Sequence, residues 1–368
     1  MVDLESILKV AVQGGASDIH LKAGLPPLFR INGGLVPLRN GPRLTGEILH
    51  ALFTRIAERQ HVDQLSRDRE IDFAYTAEAL GRFRVNAFYQ RQTLALVMRV
   101  IPSEVKSISE LDLPPILERI ALEPRGLVLV TGATGSGKST TLAAMVDLIN
   151  ETRADHILTI EDPIEFLFRD RRSIINQREV GLDTRTFASA LRAALRQDPD
   201  VIFVGEMRDE ETIETAMTAA ETGHLVLSTL HTVDAVETIN RIIGIFPPHQ
   251  HKQIRVALAA SIRAIISQRL LRRADGRGRV AAMEVLLATH RVRELLQEEG
   301  RLLELRETIA QGNSSYGMQT FDQSLMMLLR RGLITRDEAL ANCTNKDDFL
   351  LRLSGVQGTS DTQWEGFE

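Results

Sequence analysis

Apolar and polar positions alternate along most of the first hundred residues. Helical spacing interrupts the alternation in residues 2–14 and again in 44–60. Residues 1–100 therefore predict a small α+β domain on an antiparallel sheet, with NGG (32–34) as a hairpin turn. The alternating runs that predict its strands are SDIHLKAG, PLFRIN, GLVPLR, EIDFAYTAE, GRFRVNAFYQR and QTLALVMRVI.

The pattern changes after residues 101–115, a segment rich in polar residues and proline that we interpret as an interdomain linker. Short runs that are apolar on both faces then alternate with helical segments, which predicts a mainly parallel sheet covered by helices over 116–353. Beyond Ile254 the pattern is mostly helical with one hairpin-like interruption, and the polar tail 354–368 is expected to be disordered. The apolar runs are GLVLVT (126–131), HILTIED (156–162), DVIFVGE (200–206) and GHLVLSTLH (223–231).

Composition narrows the function classes. The 368 residues are 43% hydrophobic and 25% charged, which is typical of a soluble globular protein with two or three domains. A net charge of -5 disfavours a nucleic acid partner. Cys343 is the only cysteine, so neither an internal disulfide nor a four-cysteine zinc site is possible. Without a signal-peptide pattern or an apolar stretch of about 20 residues, we expect a cytoplasmic chain that does not insert into membranes.

A glycine-rich run follows the first apolar run of the second domain. Residues 132–139, GATGSGKS, match the phosphate-loop pattern between a predicted strand and a helical run. Glycines let backbone N–H groups converge on phosphate oxygens, and the helix N-terminus adds positive charge. We therefore expect ATP and Mg²⁺, with Lys138 reaching the β- and γ-phosphates and Ser139 ligating the ion. The predicted nucleotide-binding residues are Thr134, Gly135, Ser136, Gly137, Lys138, Ser139 and Thr140.

Acidic residues stand where the parallel strands are predicted to end, beside the nucleotide. Glu206 follows VIFVG and suits a general base or a water-orienting residue. In LTIEDPIEF, Glu161 or Asp162 is a candidate to hold a magnesium-bound water or to polarise the attacking one. Acids that only cap the next turn are the alternative interpretation, which is stronger for Asp162 and Glu165 than for Glu161.

Histidines and arginines complete the candidate set. His231 ends the run TGHLVLSTLH, where an imidazole can sense the γ-phosphate, whereas for His224 at its start a structural role is equally favoured. Arg82 and Arg99 are the predicted catalytic arginines, because an arginine supplied from elsewhere can stabilise the charge that phosphoryl transfer develops. Arg82 shares one face of its strand with Arg84. A solvated sheet face is the alternative interpretation.

With these motifs in place, the sequence resembles the PilT-type retraction ATPases of type IV pili, within the secretion ATPase superfamily. The resemblance covers nearly the whole chain, and its motifs occur in the family's order. The matching stretches are ASDIHL (16–21), GRFRVNAF (81–88), GLVLVTGATGSGKSTTLAAM (126–145), HILTIEDPIEF (156–166), NQREVGLDT (176–184), ALRQDPDVIFVGEMRDEETI (194–213), TAAETGHLVLSTLHT (218–232) and GMQTFDQSL (317–325).

The resemblance implies an α/β chain with an N-terminal PAS-like α+β domain followed by a RecA-like P-loop ATPase domain. It makes TIEDPIEF the Asp box with Glu161, VIFVGE an atypical Walker B with the catalytic Glu206, and TGHLVLSTLHT the His box with His224 and His231. It also implies a homohexameric ring in which neighbouring subunits contribute arginines. ATP hydrolysis would rotate domains and drive pilus retraction and twitching motility, through a platform protein at the inner-membrane base of the pilus.

Several alternatives stay open within and outside this family. Pilus-assembly and type II secretion ATPases usually carry a CxxC…CxxC insertion, which a chain with one cysteine cannot form. Residues 288–301 match the AIRAGES-like retraction motif only loosely, and GMQTFDQ and KDDFLLRL also resemble accessory retraction ATPases of the PilU kind. The primary or accessory role, and work beside a second retraction ATPase, therefore stay open. A motor on DNA and a slow nucleotide-dependent regulator are less favoured, the first by the net charge and the second by the complete set of catalytic residues.

Overall fold

The computed structural model describes residues 3–31, 33–78, 80–102 and 104–354. The chain divides into two compact units, residues 1–104 with 165–167, and residues 105–164 with 168–368. The expected domain limits at 100, 115 and 353 stay predictions. Asn32 of the NGG turn and residues 355–368 of the predicted tail lie outside the described residues.

The first unit is a six-stranded antiparallel sheet with strand order β3-β2-β1-β6-β5-β4. Alternate residues of β5, namely Phe83, Val85 and Ala87, are fully buried and form one core with the apolar sides of three helices. Arg82 and Arg84 alternate with them. The helices are α1 Leu4–Gln13, α2 Gly46–Ile56 and α3 Arg59–Asp68, and the strands are β1 Asp18–Lys22, β2 Leu28–Ile31, β3 Gly34–Pro37, β4 Glu70–Ala77, β5 Gly81–Gln90 and β6 Thr93–Ile101.

The second unit is built on a seven-stranded sheet with strand order β13-β12-β7-β11-β10-β8-β9. Every neighbouring pair is parallel except β12 with β13. Its strands are β7 Gly126–Thr131, β8 His156–Glu161, β9 Ile174–Glu179, β10 Val201–Val204, β11 Leu225–Leu230, β12 Ile262–Arg272 and β13 Arg279–Leu287.

Helices cover both faces of this sheet, as its doubly apolar strands require. In β7, Leu127 and Leu129 belong to one core, while Val128 and Val130 belong to the core on the other face. The helices are α4 Ile116–Ala121, α5 Lys138–Thr152, α6 Phe187–Ala194, α7 Glu210–Glu221, α8 Ala235–Ile245, α9 His251–Ser261, α10 His290–Gln297, α11 Leu305–Gln311, α12 Asn313–Tyr316, α13 Phe321–Arg330, α14 Arg336–Asn342 and α15 Lys346–Leu353.

The hairpin formed by β12 and β13 also supports the last helices. Leu271 and Val280 form a separate apolar cluster with Phe321 of α13 and Phe349 of α15. Among the described residues, none of the helices combines the length and the apolar character that crossing a bilayer requires.

Candidate active site

The carboxyl ends of β7, β11, β10 and β8 lie side by side at one edge of the seven-stranded sheet. The phosphate loop leaves β7, His231 follows β11, Glu206 lies two residues beyond β10, and Glu161 ends β8. Because neighbouring strands are about 4.8 Å apart, β10 stands about 10 Å from the strand of the loop and β8 about 14 Å. This edge therefore brings together four of the predicted elements.

The phosphate loop is a tight turn from β7 into α5. The Lys138 side chain folds back over it, with Nζ donating to the carbonyl oxygens of Gly132 at 2.8 Å and Ala133 at 3.0 Å. An ammonium has three donors, so one remains for a phosphate oxygen. Burial lowers the pKa of Lys138, while the carboxylate of Glu206 acts in the opposite direction.

The loop has the chemistry of a phosphate site. The Ser136 hydroxyl is buried and, within the described part of the chain, has no hydrogen-bond partner. The first turn of α5 directs backbone N–H groups towards the same place, and Ser139 lies exposed in that turn. An unsatisfied hydroxyl, an ammonium and helix N–H groups together fit a polyphosphate with an associated Mg²⁺.

Glu206 is held between two cationic or potentially cationic side chains. The Arg208 guanidinium lies 2.7 Å from Oε2, and Nε2 of His231 lies 3.2 Å from Oε1. Burial alone raises the pKa of Glu206, but the hydrogen bond from Arg208 and the contact with His231 outweigh it, so the pKa lies below its ordinary value. The carboxylate is therefore ionised at neutral pH and is a better hydrogen-bond acceptor than proton acceptor.

Glu161 is buried at the end of β8. Its Oε1 accepts from Thr159 Oγ1 at 2.6 Å and from Gln177 Nε2 at 3.1 Å. Asp162 follows it in a cis peptide bond with Pro163. Glu165 falls in the short segment 165–167 that belongs to the first unit.

The two histidines lie at opposite ends of β11. His231 follows the carboxyl end and contacts Glu206, whereas His224 precedes the amino end, where Nδ1 lies 2.9 Å from the Ala219 carbonyl oxygen at the end of α7. Six strand residues separate them by about 20 Å. Within one chain the fold does not bring His224 to the strand ends where the phosphate loop and Glu206 lie, and its role in chemistry stays a prediction.

The predicted arginines lie on the polar face of the first unit's sheet. Arg82 and Arg84 are two residues apart on β5, and Arg99 on β6 is directly opposite Arg84. Arg99 donates from Nε to Asp18 at 3.0 Å and keeps 58% of its side chain exposed. The action of Arg82 and Arg99 on a nucleotide stays a prediction.

Three further residues at this site do not follow from the sequence. Arg208 pairs with Glu206, Gln177 donates to Glu161, and Gln268 donates to the Ser136 carbonyl oxygen of the phosphate loop. Arg208 follows Glu206 by two residues, and this spacing was the feature of the sequence that could have predicted their ion pair. Gln268 lies on β12, which reads IRAIISQRLLR, and the other polar residues of that strand leave nothing in the sequence that singles Gln268 out. The partner of such a residue cannot be read from the strand alone.

Comparison with known proteins agrees with this geometry. Residues 1–328 match the family described as Type II/IV secretion system protein. The chain is 45% identical over 348 residues to the type IV pilus retractation ATPase PilT of Pseudomonas aeruginosa, a match that covers 95% of this chain and 100% of that protein.

Two further similarities extend the comparison. The type IV pilus ATPase PilU of P. aeruginosa is 42% identical over 352 residues, which cover 96% of this chain and 91% of PilU. The crystal structure of the pilus retraction motor PilT with bound ADP superposes with a TM-score of 0.87 at 46% identity, covering 95% of this chain and 99% of that one.

Proposed function

The chain belongs to the type II/IV secretion system protein family and is an ATP-hydrolysing enzyme of the PilT type, and we propose that it powers the retraction of type IV pili. The observation that carries this proposal is the arrangement of side chains at the carboxyl ends of β7, β11, β10 and β8. There a phosphate loop, an ionised carboxylate held by Arg208 and His231, and a second buried carboxylate meet at the ends of parallel strands.

The phosphate loop holds the substrate and offsets the negative charge of its phosphates. The remaining donor of Lys138 binds the β- and γ-phosphates of ATP, and the N–H groups at the start of α5 offset their charge. Because Lys138 is already fixed by two loop carbonyls, little side-chain entropy is lost when it binds phosphate.

Glu206 directs the attacking water. Its lowered pKa makes it a carboxylate that accepts a hydrogen bond from water and orients one lone pair of that water towards the γ-phosphorus. His231, which touches the same carboxylate, senses whether the γ-phosphate is present. Loss of the γ-phosphate changes the contacts of His231, and this change distinguishes the ADP-bound site from the ATP-bound site.

Mg²⁺ fits the oxygen donors of the site. Within the described residues no three His, Cys, Asp or Glu side chains cluster as a protein-built metal site needs. Mg²⁺ at nucleotide sites typically takes one or two protein ligands with substrate phosphates and waters, and when bound it neutralises phosphate charge. Ser139 would supply the direct ligand, and Glu161 would accept hydrogen bonds from a water of the metal.

A ring of subunits converts this chemistry into movement. We propose a homohexamer in which Arg82 and Arg99 of a neighbouring subunit approach the triphosphate, and in which loss of the γ-phosphate releases them. The linker 101–115 then permits rigid-body rotation between domains. The ring would act from the cytoplasmic side on a platform protein at the inner-membrane base of the pilus.

Turnover and retraction are tested separately. Purified chain should release phosphate from Mg·ATP, whereas Glu206→Ala should bind ATP and lose nearly all turnover. Expression in a bacterium that lacks its own retraction ATPase should restore twitching, and Lys138→Ala should not. Unchanged turnover of Glu206→Ala would remove that residue from its role. An active ATPase that restores twitching neither alone nor beside a primary retraction ATPase would refute retraction.

A second candidate function is that of an accessory retraction ATPase. The identity of 42% to PilU over 96% of the chain supports it nearly as well as the primary role. The same complementation separates the two roles, because an accessory ATPase restores twitching only when a primary retraction ATPase is also present.

A further inference from the structure

Gln268 lies against the phosphate loop from the neighbouring strand. β12 pairs in parallel with β7, and its Ser267 is opposite Thr131, the last residue before the loop. The Thr131 hydroxyl donates to the Ser267 hydroxyl at 2.9 Å. Gln268 is therefore the first residue of β12 that faces the loop itself, and only 3% of it is exposed.

The amide of Gln268 connects the loop to the first turn of α5. Nε2 donates to the Ser136 carbonyl oxygen at 2.7 Å, and Oε1 accepts from the Thr141 hydroxyl at 2.7 Å. A carbonyl oxygen can only accept, so the NH₂ side of the amide must face Ser136. Both ends of the amide are thus used, on residues at either side of Lys138.

Two glycines let the loop close onto this residue. A Cβ on Gly132 would lie 2.4 Å from the backbone carbonyl oxygen of Gln268, and a Cβ on Gly137 would lie 2.7 Å from the side-chain Nε2 of Gln268. Gly137 also has φ of 91°, which side chains with a Cβ rarely adopt. The loop is packed against Gln268 at its first residue and again at the residue before Lys138.

We propose that Gln268 is a positioning residue of the phosphate loop, which fixes the Ser136–Gly137 peptide so that its N–H faces the nucleotide phosphates. A trans peptide is planar and its N–H points opposite to its C=O. Gln268 binds that C=O, so the Gly137 N–H is turned away from β12 and into the concave side of the loop. The inference rests on the proposed function, because it explains what holds the backbone of that same nucleotide site in its binding conformation.

The chemistry of an amide is essential to this role. A carboxylate of equal size accepts from Thr141 but cannot donate to Ser136. Gln268→Glu therefore places a carboxylate oxygen beside the Ser136 carbonyl oxygen, and both atoms can only accept. Gln268→Met keeps the volume and leaves the Ser136 carbonyl and the Thr141 hydroxyl without a partner. Thr141→Val removes only the bond that orients the far side of the amide.

The test measures nucleotide binding and steady-state turnover on the full-length chain. Affinity for a fluorescent ADP analogue should fall about tenfold or more in Gln268→Glu and Gln268→Met, and less in Thr141→Val. The reason is that a buried polar group left without its partner typically changes an equilibrium constant by about a factor of ten. KM for ATP should rise in parallel, while kcat at saturating ATP changes far less.

Gln319 provides the matched control. It is also a buried glutamine whose Nε2 donates to a carbonyl oxygen of the same hairpin, that of Met283 at 3.0 Å, but it contacts β13 and not the loop. Gln319→Met should lower the unfolding temperature as Gln268→Met does and leave ADP affinity unchanged.

The outcomes distinguish the inference from the function. If the Gln268 variants are folded and bind ADP as the unaltered chain does, or if Gln319→Met loses affinity equally, Gln268 has no positioning role. If Gln268→Met does not fold, Thr141→Val decides by the same measurement. If the unaltered chain itself does not bind Mg·ADP, the proposed function fails instead.

Discussion

Arg208 and Glu206 form an ion pair of 2.7 Å within one loop, two residues apart, at the edge where the nucleotide is proposed to bind. The arginine is largely exposed and the carboxylate is largely buried. The pair therefore keeps a charge on a carboxyl group that burial alone would tend to neutralise. Arg208 controls the protonation of Glu206 more than it contributes to stability, since exposed ion pairs contribute little.

Arg208→Ala should move the acid limb of the pH–rate profile to higher pH. Without Arg208, the effect of burial is opposed by His231 and by the more distant Lys138 ammonium alone, so the pKa of Glu206 rises and the carboxylate is protonated at a higher pH than in the unaltered chain. Turnover at neutral pH should fall by less than the roughly 100-fold or greater loss expected for removal of Glu206 itself. The measurement is kcat/KM for ATP between pH 4 and 8.

Arg171→Ala is the control for that experiment. Arg171 is an exposed arginine that pairs with Asp147 and Glu151 of α5 and does not contact Glu206. Its profile should coincide with that of the unaltered chain. A profile of Arg208→Ala that also coincides would show that the ion pair does not govern the ionisation of Glu206.

Much of this architecture follows from short-range pattern in the sequence. β7, β8, β10 and β11 are apolar on both faces, and parallel strands must end at one edge, so the meeting of the phosphate loop, Glu161, Glu206 and His231 was predictable. The same logic places His224 at the opposite edge. Residues at the start and the end of one strand cannot share a site within one chain.

The elements that sequence reasoning missed lack an apolar pattern. β9 reads IINQRE at the edge of the sheet and buries only Glu179, so its alternation is weak. α3 reads RQHVDQLSRD and buries only His61 and Leu65, one turn apart. Tertiary packing and a capping box at Glu58 define that helix more than its composition does.

The connection of Gln268 to the loop could not be predicted for a different reason. Its two partners, Ser136 and Thr141, precede it by 132 and 127 residues. Only the pairing of β12 beside β7 brings them together, and that strand order is not encoded in the local pattern of either strand. A buried amide indicates that some hydrogen-bond partner exists, but it does not indicate which residue that partner is.

Mixed rings should reveal whether Arg99 acts on a neighbouring subunit. Glu206→Gln and Arg99→Ala chains are each expected to be nearly inactive as homohexamers. In an equal mixture, a site with an intact Glu206 and an intact neighbouring Arg99 arises in about a quarter of the interfaces of a cyclic ring. ATPase activity should therefore reappear on mixing and subunit exchange.

Two controls make the mixing experiment decisive. Mixing Glu206→Gln with Lys138→Ala should restore nothing, because both residues belong to the same chain's site. If the mixture with Arg99→Ala also restores nothing while subunit exchange is complete, Arg99 does not act between subunits in the proposed way.

Asp18→Asn should loosen the sheet of the first unit. The Asp18 carboxylate is nearly buried, accepts from the Ser17 hydroxyl at 2.8 Å and pairs with Arg99 and Arg30. Burial raises the pKa of Asp18, but the bonds from Ser17 and Arg99 outweigh it, so its pKa is below 3.8 and the charge stabilises the fold above that pH. The loss at pH 7 should be about 1–3 kcal/mol.

Hydrogen exchange of the β1 and β6 amides measures this effect locally. Exchange should accelerate in Asp18→Asn at pH 7, whereas Asp72→Asn, at an exposed carboxylate that pairs with Arg84 at 3.7 Å, should change it little. The difference between Asp18→Asn and the unaltered chain should shrink as the pH falls below 3.8. Equal exchange in both chains at pH 7 would contradict the stabilising role of Asp18.

Glu284 gives the fold a pH dependence of the opposite sign. It lies on β13 opposite Ser267, and its Oε1 accepts from the Ala235 N–H at the start of α8, at 2.9 Å. Burial raises its pKa from 4.5 to about 7, and the nearby Asp234 adds to the shift. Between these two pH values Glu284 binds more protons in the folded chain than in the unfolded chain, so its contribution to the free energy of unfolding falls as the pH rises through that window.

Glu284→Gln should remove that dependence, because an amide keeps an acceptor for the Ala235 N–H and has no charge to bury. Relative to the unaltered chain, the variant should gain up to about 3 kcal/mol between pH 4.5 and pH 8, measured by urea unfolding followed by circular dichroism. Glu237→Gln is the control, since Glu237 accepts from the Val233 N–H at the same helix start but is exposed. A stability difference between Glu284→Gln and the unaltered chain that stays constant from pH 4.5 to pH 8 would mean that Glu284 is not titrating in the folded protein.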